Sequence, residues 1–250
     1  VPPKGPGRAH QPKWDGYRLV TTIVGGKVRI WSRNAIEWTD KVPELREAIA
    51  QLGLDNAAFD GELIAGTGTQ QDFSLLQATL SGERQGSLAY ALFDLLHLEG
   101  VSLEASPLLA RKELLAQLLK EPPRHLAYSS HIAGDGDKAF ELASQGEFEG
   151  IISKRADLGY EHGRSEAWKK VKRMESEEFA VVGYTPGKGA REGFGSLLLA
   201  RPDKTQKEGW SYVGRVGSGF SDRMITDLLK RIGKAGGKEP TVHVPPVVDT

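Results

Sequence analysis

The sequence contains no cysteine and only two methionines among its 250 residues. Without thiols no disulfide can brace the fold and no thiolate can hold zinc, so any metal must be bound by oxygen ligands or by the six histidines. Long apolar runs are missing as well. None reaches the length needed to cross a bilayer, and the N-terminus lacks a charged-then-apolar leader, which points to a cytoplasmic protein with no membrane partner. Net charge is the third absence. The 33 basic and 33 acidic residues cancel, and the balance holds on both sides of Glu175, so there is no basic arm and nucleic-acid binding must come from local patches. What remains, with 39% hydrophobic and 26% charged residues, describes a globular chain long enough for a large domain and a small one.

The first twelve residues, rich in Pro and Gly, lack periodicity and read as an irregular lead-in. Tyr17 to Val24 and Lys27 to Trp31 are β-branched and aromatic runs separated by Gly25-Gly26, the composition of a tight hairpin. Val42, Leu45, Ile49 and Leu52 recur at helical spacing. Ala57 to Ala65 reads as a strand with Asp60, Glu62 and Ile64 on one face and Phe59, Gly61 and Leu63 on the other. Leu88 to Leu96 is nearly all apolar, as expected of a strand buried on both faces. Ser106-Pro107 looks like an N-cap and first helical residue, opening a Leu-rich helix to Leu119. A second helix is expected from Lys138 to Gln145, stopping at Gly146. Glu149 to Arg155 and Trp168 to Lys172 are strand candidates, the latter with Trp168, Lys170 and Lys172 on one face.

The charged segment Arg173 to Glu178 marks the expected domain boundary, giving domains 1–173 and 174–250. Beyond it, Phe179 to Thr185, Ser196 to Ala200 and Trp210 to Val216 read as strands. A helix follows, with Ser221 as its cap and Ile225, Leu228, Leu229 and Ile232 as its apolar stripe. Three strands and a helix suggest part of a five-stranded barrel of the oligonucleotide-binding type, and the stretch from Gly236 can add at most one strand.

The residues with chemical potential begin at Lys13-Trp14-Asp15-Gly16-Tyr17-Arg18. A lysine attacks phosphorus only as the neutral amine, so a nucleophilic Lys13 needs burial or neighbouring cations, for which Lys170 and Lys172 are candidates. As a bare pattern, a lysine beside Asp-Gly is nearly always a solvated turn, an aromatic in a buried strand is more often core than platform, and two lysines on one strand face are normally an exposed face.

Six blocks in order decide between these readings. Lys13-Trp14-Asp15-Gly16-Tyr17-Arg18, Ser32-Arg33-Asn34, Phe59-Asp60-Gly61-Glu62-Leu63, Ala91-Leu92-Phe93-Asp94-Leu95-Leu96, Glu149-Gly150-Ile151-Ile152-Ser153-Lys154-Arg155 and Trp168-Lys169-Lys170-Val171-Lys172 resemble the motifs of the covalent nucleotidyltransferase superfamily of DNA ligases, RNA ligases and capping enzymes. Gly163-Arg164-Ser165, and Val213 to Phe220 in the second domain, resemble the ligase domain of bacterial non-homologous end-joining proteins.

The resemblance implies an α+β nucleotidyltransferase fold, with antiparallel sheets and flanking helices, followed by a partial OB-type barrel. It also implies an ATP-dependent DNA ligase acting as a monomer on nicked duplex DNA, with end-joining proteins or fused repair domains as further partners. Lys13 would attack the α-phosphate of ATP and carry AMP. Lys170 and Lys172 would meet that phosphate, Arg18 and Glu62 the AMP phosphate or ribose, and Phe93 the adenine. Arg33 would face the nick phosphate and Lys154 another phosphate. Glu149, assisted by Glu62, would bind Mg²⁺ or Mn²⁺, which favour carboxylates plus substrate oxygens. Lys188, Arg191, Arg215, Arg223, Lys230 and Arg231 are candidate DNA phosphate contacts.

Two positions depart from the family pattern. Gln11 stands where related DNA ligases carry an acidic residue that reads the adenine amino group; an amide can still accept a hydrogen bond there. The C-terminal basic motif that orients pyrophosphate has no counterpart before Thr250, which reads either as a chain truncated at its C-terminus or as a naturally shortened enzyme. RNA ligase or capping chemistry, and a nick-binding module with impaired self-adenylylation, are the alternatives.

Overall fold

The computed structural model describes residues 1–3, 5–163, 165–173, 177–187, 193–207, 209–235 and 242–244. Arg164, Lys188 and Arg191, together with most of the stretch from Gly236, lie outside the described residues. The chain divides into two compact units, Val1–Met174 and Glu175–Thr250. No described helix is long and apolar enough to cross a membrane.

In chain order the first unit contains β1 (Arg8–Pro12), β2 (Tyr17–Val24), β3 (Lys27–Ser32), α1 (Pro43–Ala50), β4 (Asn56–Ala65), α2 (Phe73–Ser81), β5 (Leu88–Leu98), β6 (Val101–Ser102), α3 (Leu108–Leu118), β7 (Leu126–Tyr128), β8 (Ile132–Ala133), α4 (Gly136–Gln145), β9 (Gly150–Arg155) and β10 (Trp168–Lys172). They form two sheets. One has the order β3-β2-β4-β5-β6, with β7 parallel to β5, and the other has the order β10-β9-β1-β8. Gly25 and Gly26, at φ 56° and 72°, close the β2–β3 hairpin as two positive-φ residues.

The alternation expected in β4 is present, and it sorts core from site. Leu19, Ile23, Phe59 and Leu63 belong to the main hydrophobic core with Leu45 and Ile49 of α1, Leu76 of α2 and Leu115 of α3. Asp60 and Glu62 stand on the opposite face of β4. In the second sheet, Ile151 packs with Ala139 and Ala143 of α4. Ile152, Lys154, Trp168 and Lys170 fall on the other face by register, since Trp168 opposes Lys154 and Lys170 opposes Ile152.

Several local expectations need correction. Residues 8–12 form β1 rather than an irregular lead-in: this strand has no amphipathic alternation because it is inserted between β9 and β8, where pairing on both edges defines it. The helix cap at Ser106 is displaced by one residue. Pro107 is the cap, and the Ser106 carbonyl instead accepts from Arg111 Nη1 at 2.5 Å. Helix α4 begins earlier than Lys138, because Asp135 caps it by accepting from the Lys138 amide at 2.9 Å. Helix α2 is an addition to the expected elements. It is preceded by a turn in which the Asp72 carboxylate accepts from the Thr67 amide at 2.8 Å and hydroxyl at 2.7 Å.

The second unit contains β11 (Ala180–Pro186), β12 (Phe194–Pro202), β13 (Trp210–Val216) and α5 (Asp222–Ala235). The described strands form an antiparallel meander, β11-β12-β13. The expected stripe of α5 packs on it: Ile225, Leu228, Leu229 and Ile232 cluster with Phe194, Leu197 and Phe220. Ser221 accepts the Ile225 amide through its carbonyl at 2.9 Å and the Met224 amide through its hydroxyl at 3.4 Å, as a cap should.

Candidate active site

Lys13 to Gly16 is the crossover by which the chain leaves β1 in one sheet and enters β2 in the other. The Lys13 amide donates to the Gly150 carbonyl of β9 at 2.9 Å, and the Asp15 amide to the Gly68 carbonyl in the turn after β4 at 3.1 Å, so the loop is held at two points. Gly16 is required by space: a Cβ there would lie 2.0 Å from the Leu63 carbonyl oxygen. Trp14 donates from Nε1 to Ser129 Oγ at 2.9 Å and meets Phe148 edge-on at 5.0 Å.

A cavity of about 1020 Å³ is lined by Lys13, Arg18, Arg33, Glu62, Phe93 and Lys170 among others, drawing on the polar faces of both sheets. Six of the ten residues singled out in the sequence thus border one space. Phe93 arrives there through a β-bulge. Asp94 pairs with Asp60 and Leu92 with Gly61, leaving Phe93 without an opposite residue on β4. Its ring meets Trp168 edge-on at 6.1 Å.

Arg18 is clamped by the Asp60 carboxylate, with Nε 3.0 Å from Oδ1 and Nη2 2.6 Å from Oδ2. Tyr160 completes the triangle, its hydroxyl 2.9 Å from Arg18 Nη2 and 2.8 Å from Asp60 Oδ2. Burial opposes the Arg18 charge, but the bonds from Asp60 outweigh it and hold the guanidinium more firmly protonated. Glu62 behaves differently. Burial and the neighbouring Asp60 carboxylate push its carboxyl up to about 7, against the pull of Lys13 and Arg18.

Glu149 gathers two of the expected catalytic lysines. Lys13 Nζ donates to its Oε2, and Lys172 Nζ to its Oε1 at 2.5 Å. Burial acts to raise the Glu149 carboxyl, yet the two lysines prevail and hold it below the usual carboxylate range, while Lys172 is raised in return by its bond to Glu149. For Lys172 this corrects the expectation of a bare cation beside Lys13: it shares a carboxylate with Lys13, while Lys170 lines the same cavity as Lys13. Among the described residues no group of three His, Asp or Glu side chains could hold a metal alone.

Two further residues sit deeper than their expected roles require. Lys154 is 1% exposed, its Nζ without a hydrogen-bond partner and 3.8 Å and 4.2 Å from the ring centroids of Trp168 and Phe93. Its ammonium faces aromatic walls where a phosphate contact was expected, and burial lowers its pKa to about 8. Gln11 is also buried and donates from Nε2 to the Ser129 carbonyl at 3.4 Å.

Sequence reasoning assigns no role to Asp60, Asp94, Arg111, Lys112, Ser129 or Tyr160. Arg111 binds Asp94 through two bonds, Nε to Oδ1 at 2.7 Å and Nη2 to Oδ2 at 3.0 Å, both residues fully buried. A signal does exist. Leu108, Arg111, Lys112 and Leu115 follow helical spacing, and all four are buried on α3, so two cations interrupt an otherwise apolar stripe opposite Asp94 in an apolar strand.

The family model described as ATP dependent DNA ligase domain matches residues 4–172, and the ATP dependent DNA ligase C terminal region matches residues 190–249. The chain is 36% identical over 254 residues to the multifunctional non-homologous end joining protein LigD of Pseudomonas aeruginosa, covering 100% of this chain and 30% of that protein. It is 32% identical over 240 residues to the LigD DNA repair protein of Mycobacterium tuberculosis, covering 95% and 31%. The chain therefore spans about a third of the length of these curated relatives. Among solved structures, mycobacterial DNA ligase D complexed with ATP and MES is 31% identical with a TM-score of 0.62, covering 98% of this chain and 78% of that one.

Proposed function

Since the chain belongs to the ATP-dependent DNA ligase family, we propose that it is a ligase core that seals nicked duplex DNA through an AMP carried on Lys13. The observation that supports this most directly is the convergence of Lys13, Arg18, Glu62, Phe93 and Lys170 on one cavity. In the first step the neutral Lys13 amine attacks the α-phosphorus of ATP, forming a phosphoramidate and expelling pyrophosphate. In the second a DNA 5′-phosphate oxygen attacks the same phosphorus and Lys13 is released. In the third the adjacent 3′-hydroxyl attacks the 5′-phosphorus and AMP leaves. Each is an in-line transfer in which positioning and charge neutralisation are the main tasks of the protein.

The motif positions and the cavity lining support the residue roles. Phe93 offers its face to adenine, Arg18 and Glu62 contact ribose or phosphate, Lys170 neutralises the α-phosphate from the cavity wall and Lys172 from beside Glu149, and exposed Arg33 faces the nick phosphate. Arg18 is preorganised by Asp60 and Tyr160 for this work. Lys13 must lose a proton and leave Glu149 before it attacks. Glu149 and Glu62 fit Mg²⁺ or Mn²⁺, which would be completed by phosphate oxygens and would supply charge neutralisation. Each Glu149 oxygen accepts from one lysine here, Lys13 or Lys172, so a cation bound at Glu149 would share its oxygens with these lysines or displace them.

Nicked DNA is the proposed partner, with the second unit as an OB-type DNA-binding domain. Its Arg215, Arg223, Lys230 and Arg231 are exposed, and contacts of this kind make nick affinity fall steeply with salt. Fused repair domains and end-joining partners are proposed from the relatives' names.

The test is mass spectrometry after incubation with ATP or GTP and magnesium, followed by sealing of a DNA or RNA nick already carrying 5′-adenylate. AMP on Lys13 from ATP, lost in Lys13→Ala, with sealing of the DNA nick, is the expected result. No nucleotide on Lys13 and no sealing at high protein concentration overturns the proposal.

A further inference from the structure

Lys112 is fully buried on α3 and belongs to none of the roles above. Its Nζ donates to the Ser129 carbonyl at 2.8 Å and, more distantly, to the Phe93 carbonyl at 3.4 Å, and lies 4.6 Å over the Tyr128 ring. Ser129 is itself a junction. Its carbonyl also accepts from Gln11 and its hydroxyl from Trp14, while its amide donates to the Leu92 carbonyl at 2.8 Å. Gln11 and Trp14 bracket Lys13 in the chain. One ammonium therefore connects the bulged residue at the cavity wall with both flanks of the nucleophile.

We propose that Lys112 is a positioning residue which, through Ser129, ties the Phe93 platform to the segment carrying Lys13 and so fixes where a purine base sits relative to the attacking amine. The idea rests on the reading that Lys13 takes AMP from ATP. A bulge leaves Phe93 without a partner on β4, so the ladder alone does not set its position, and a donor shared with Ser129 supplies the missing constraint. Burial, with repulsion from Lys154, lowers the Lys112 pKa to about 7. Even the neutral amine keeps two N–H groups, enough for the two carbonyls.

The test separates base positioning from phosphate binding and from packing. ATP and inorganic tripolyphosphate are titrated calorimetrically into the full chain carrying Lys13→Ala, with and without Lys112→Met, which keeps the side-chain length and removes the donors. The expected result is ATP affinity reduced about ten-fold, the scale of one lost charge-assisted bond, with tripolyphosphate affinity unchanged. Lys112→Gln, which retains an amide donor, is expected to recover part of the ATP affinity; it also serves as the test variant if Lys112→Met melts below the assay temperature. Unchanged ATP affinity, or equal losses for ATP and tripolyphosphate, would show Lys112 to be only a core residue. If the Lys13→Ala chain binds tripolyphosphate but no ATP, the nucleotide reading itself falls, and this inference with it.

Discussion

Replacing Gly16 with alanine tests whether the nucleophile loop is held as tightly as its hydrogen bonds indicate. The new Cβ would sit 2.0 Å from the Leu63 carbonyl oxygen, 3.0 Å from its carbon and 3.1 Å from Glu62 Cγ. Real Cβ contacts do not fall below 3.0 Å, so at least the difference must be made up by movement. Leu63 cannot supply it. It lies on β4 with Tyr17 of β2 on one side and Tyr90 of β5 on the other, deep in the main core. The loop must move instead, and it is fastened at Lys13 to Gly150 and at Asp15 to Gly68. A displacement of about 1 Å at a reacting group costs about 100-fold in rate, and forcing a methyl into filled space costs about 1–3 kcal/mol of stability. The assay is the rate of AMP transfer onto Lys13, followed by mass spectrometry at a temperature where circular dichroism shows the variant folded. A Gly16→Ala chain with parental melting temperature and a rate within three-fold or so of the parent would refute the reasoning.

Two other perturbations address buried or half-buried charged groups. Asp94→Ala leaves Arg111 buried without its carboxylate, and urea denaturation should show a loss of about 3–5 kcal/mol. Much of this should return in Asp94→Leu combined with Arg111→Met, which removes both charges. Glu62 gives a pH signature: its carboxyl is raised from 4.5 to about 7, so the folded chain binds that proton more tightly than the unfolded one. Its stabilising contribution, about 3 kcal/mol, is complete below 4.5 and lost as pH rises through 7. Glu62→Gln should flatten the stability profile across that window, and an unchanged slope would mean that Glu62 titrates normally.

Much of the site is legible in the sequence because each motif places chemistry at a forced backbone position. The Asp60-Gly61-Glu62 alternation assigns a face by strand periodicity alone, since a strand has no freedom to place Glu62 with Leu63. The need for glycine at position 16 comes from the Leu63 carbonyl, which no local pattern reveals. Lys154 and Gln11 are harder. Both lie on strands of the second sheet, but their depth depends on the neighbours stacked above them. The role of β1 is invisible because its identity as a strand comes from β8 and β9.

Family membership, the order of the strands and helices that carry the motifs, and the set of residues able to act on a phosphate all follow from the amino-acid sequence, because they depend on side-chain chemistry and on local periodicity. Three-dimensional packing was needed to show that Glu149 binds Lys13 and Lys172 together, that Asp60 and Tyr160 clamp Arg18, and that Lys112 reaches Phe93 and Ser129. These are contacts between residues distant in the chain. Their geometry is set by how two sheets and their helices pack, and no local spacing encodes that packing.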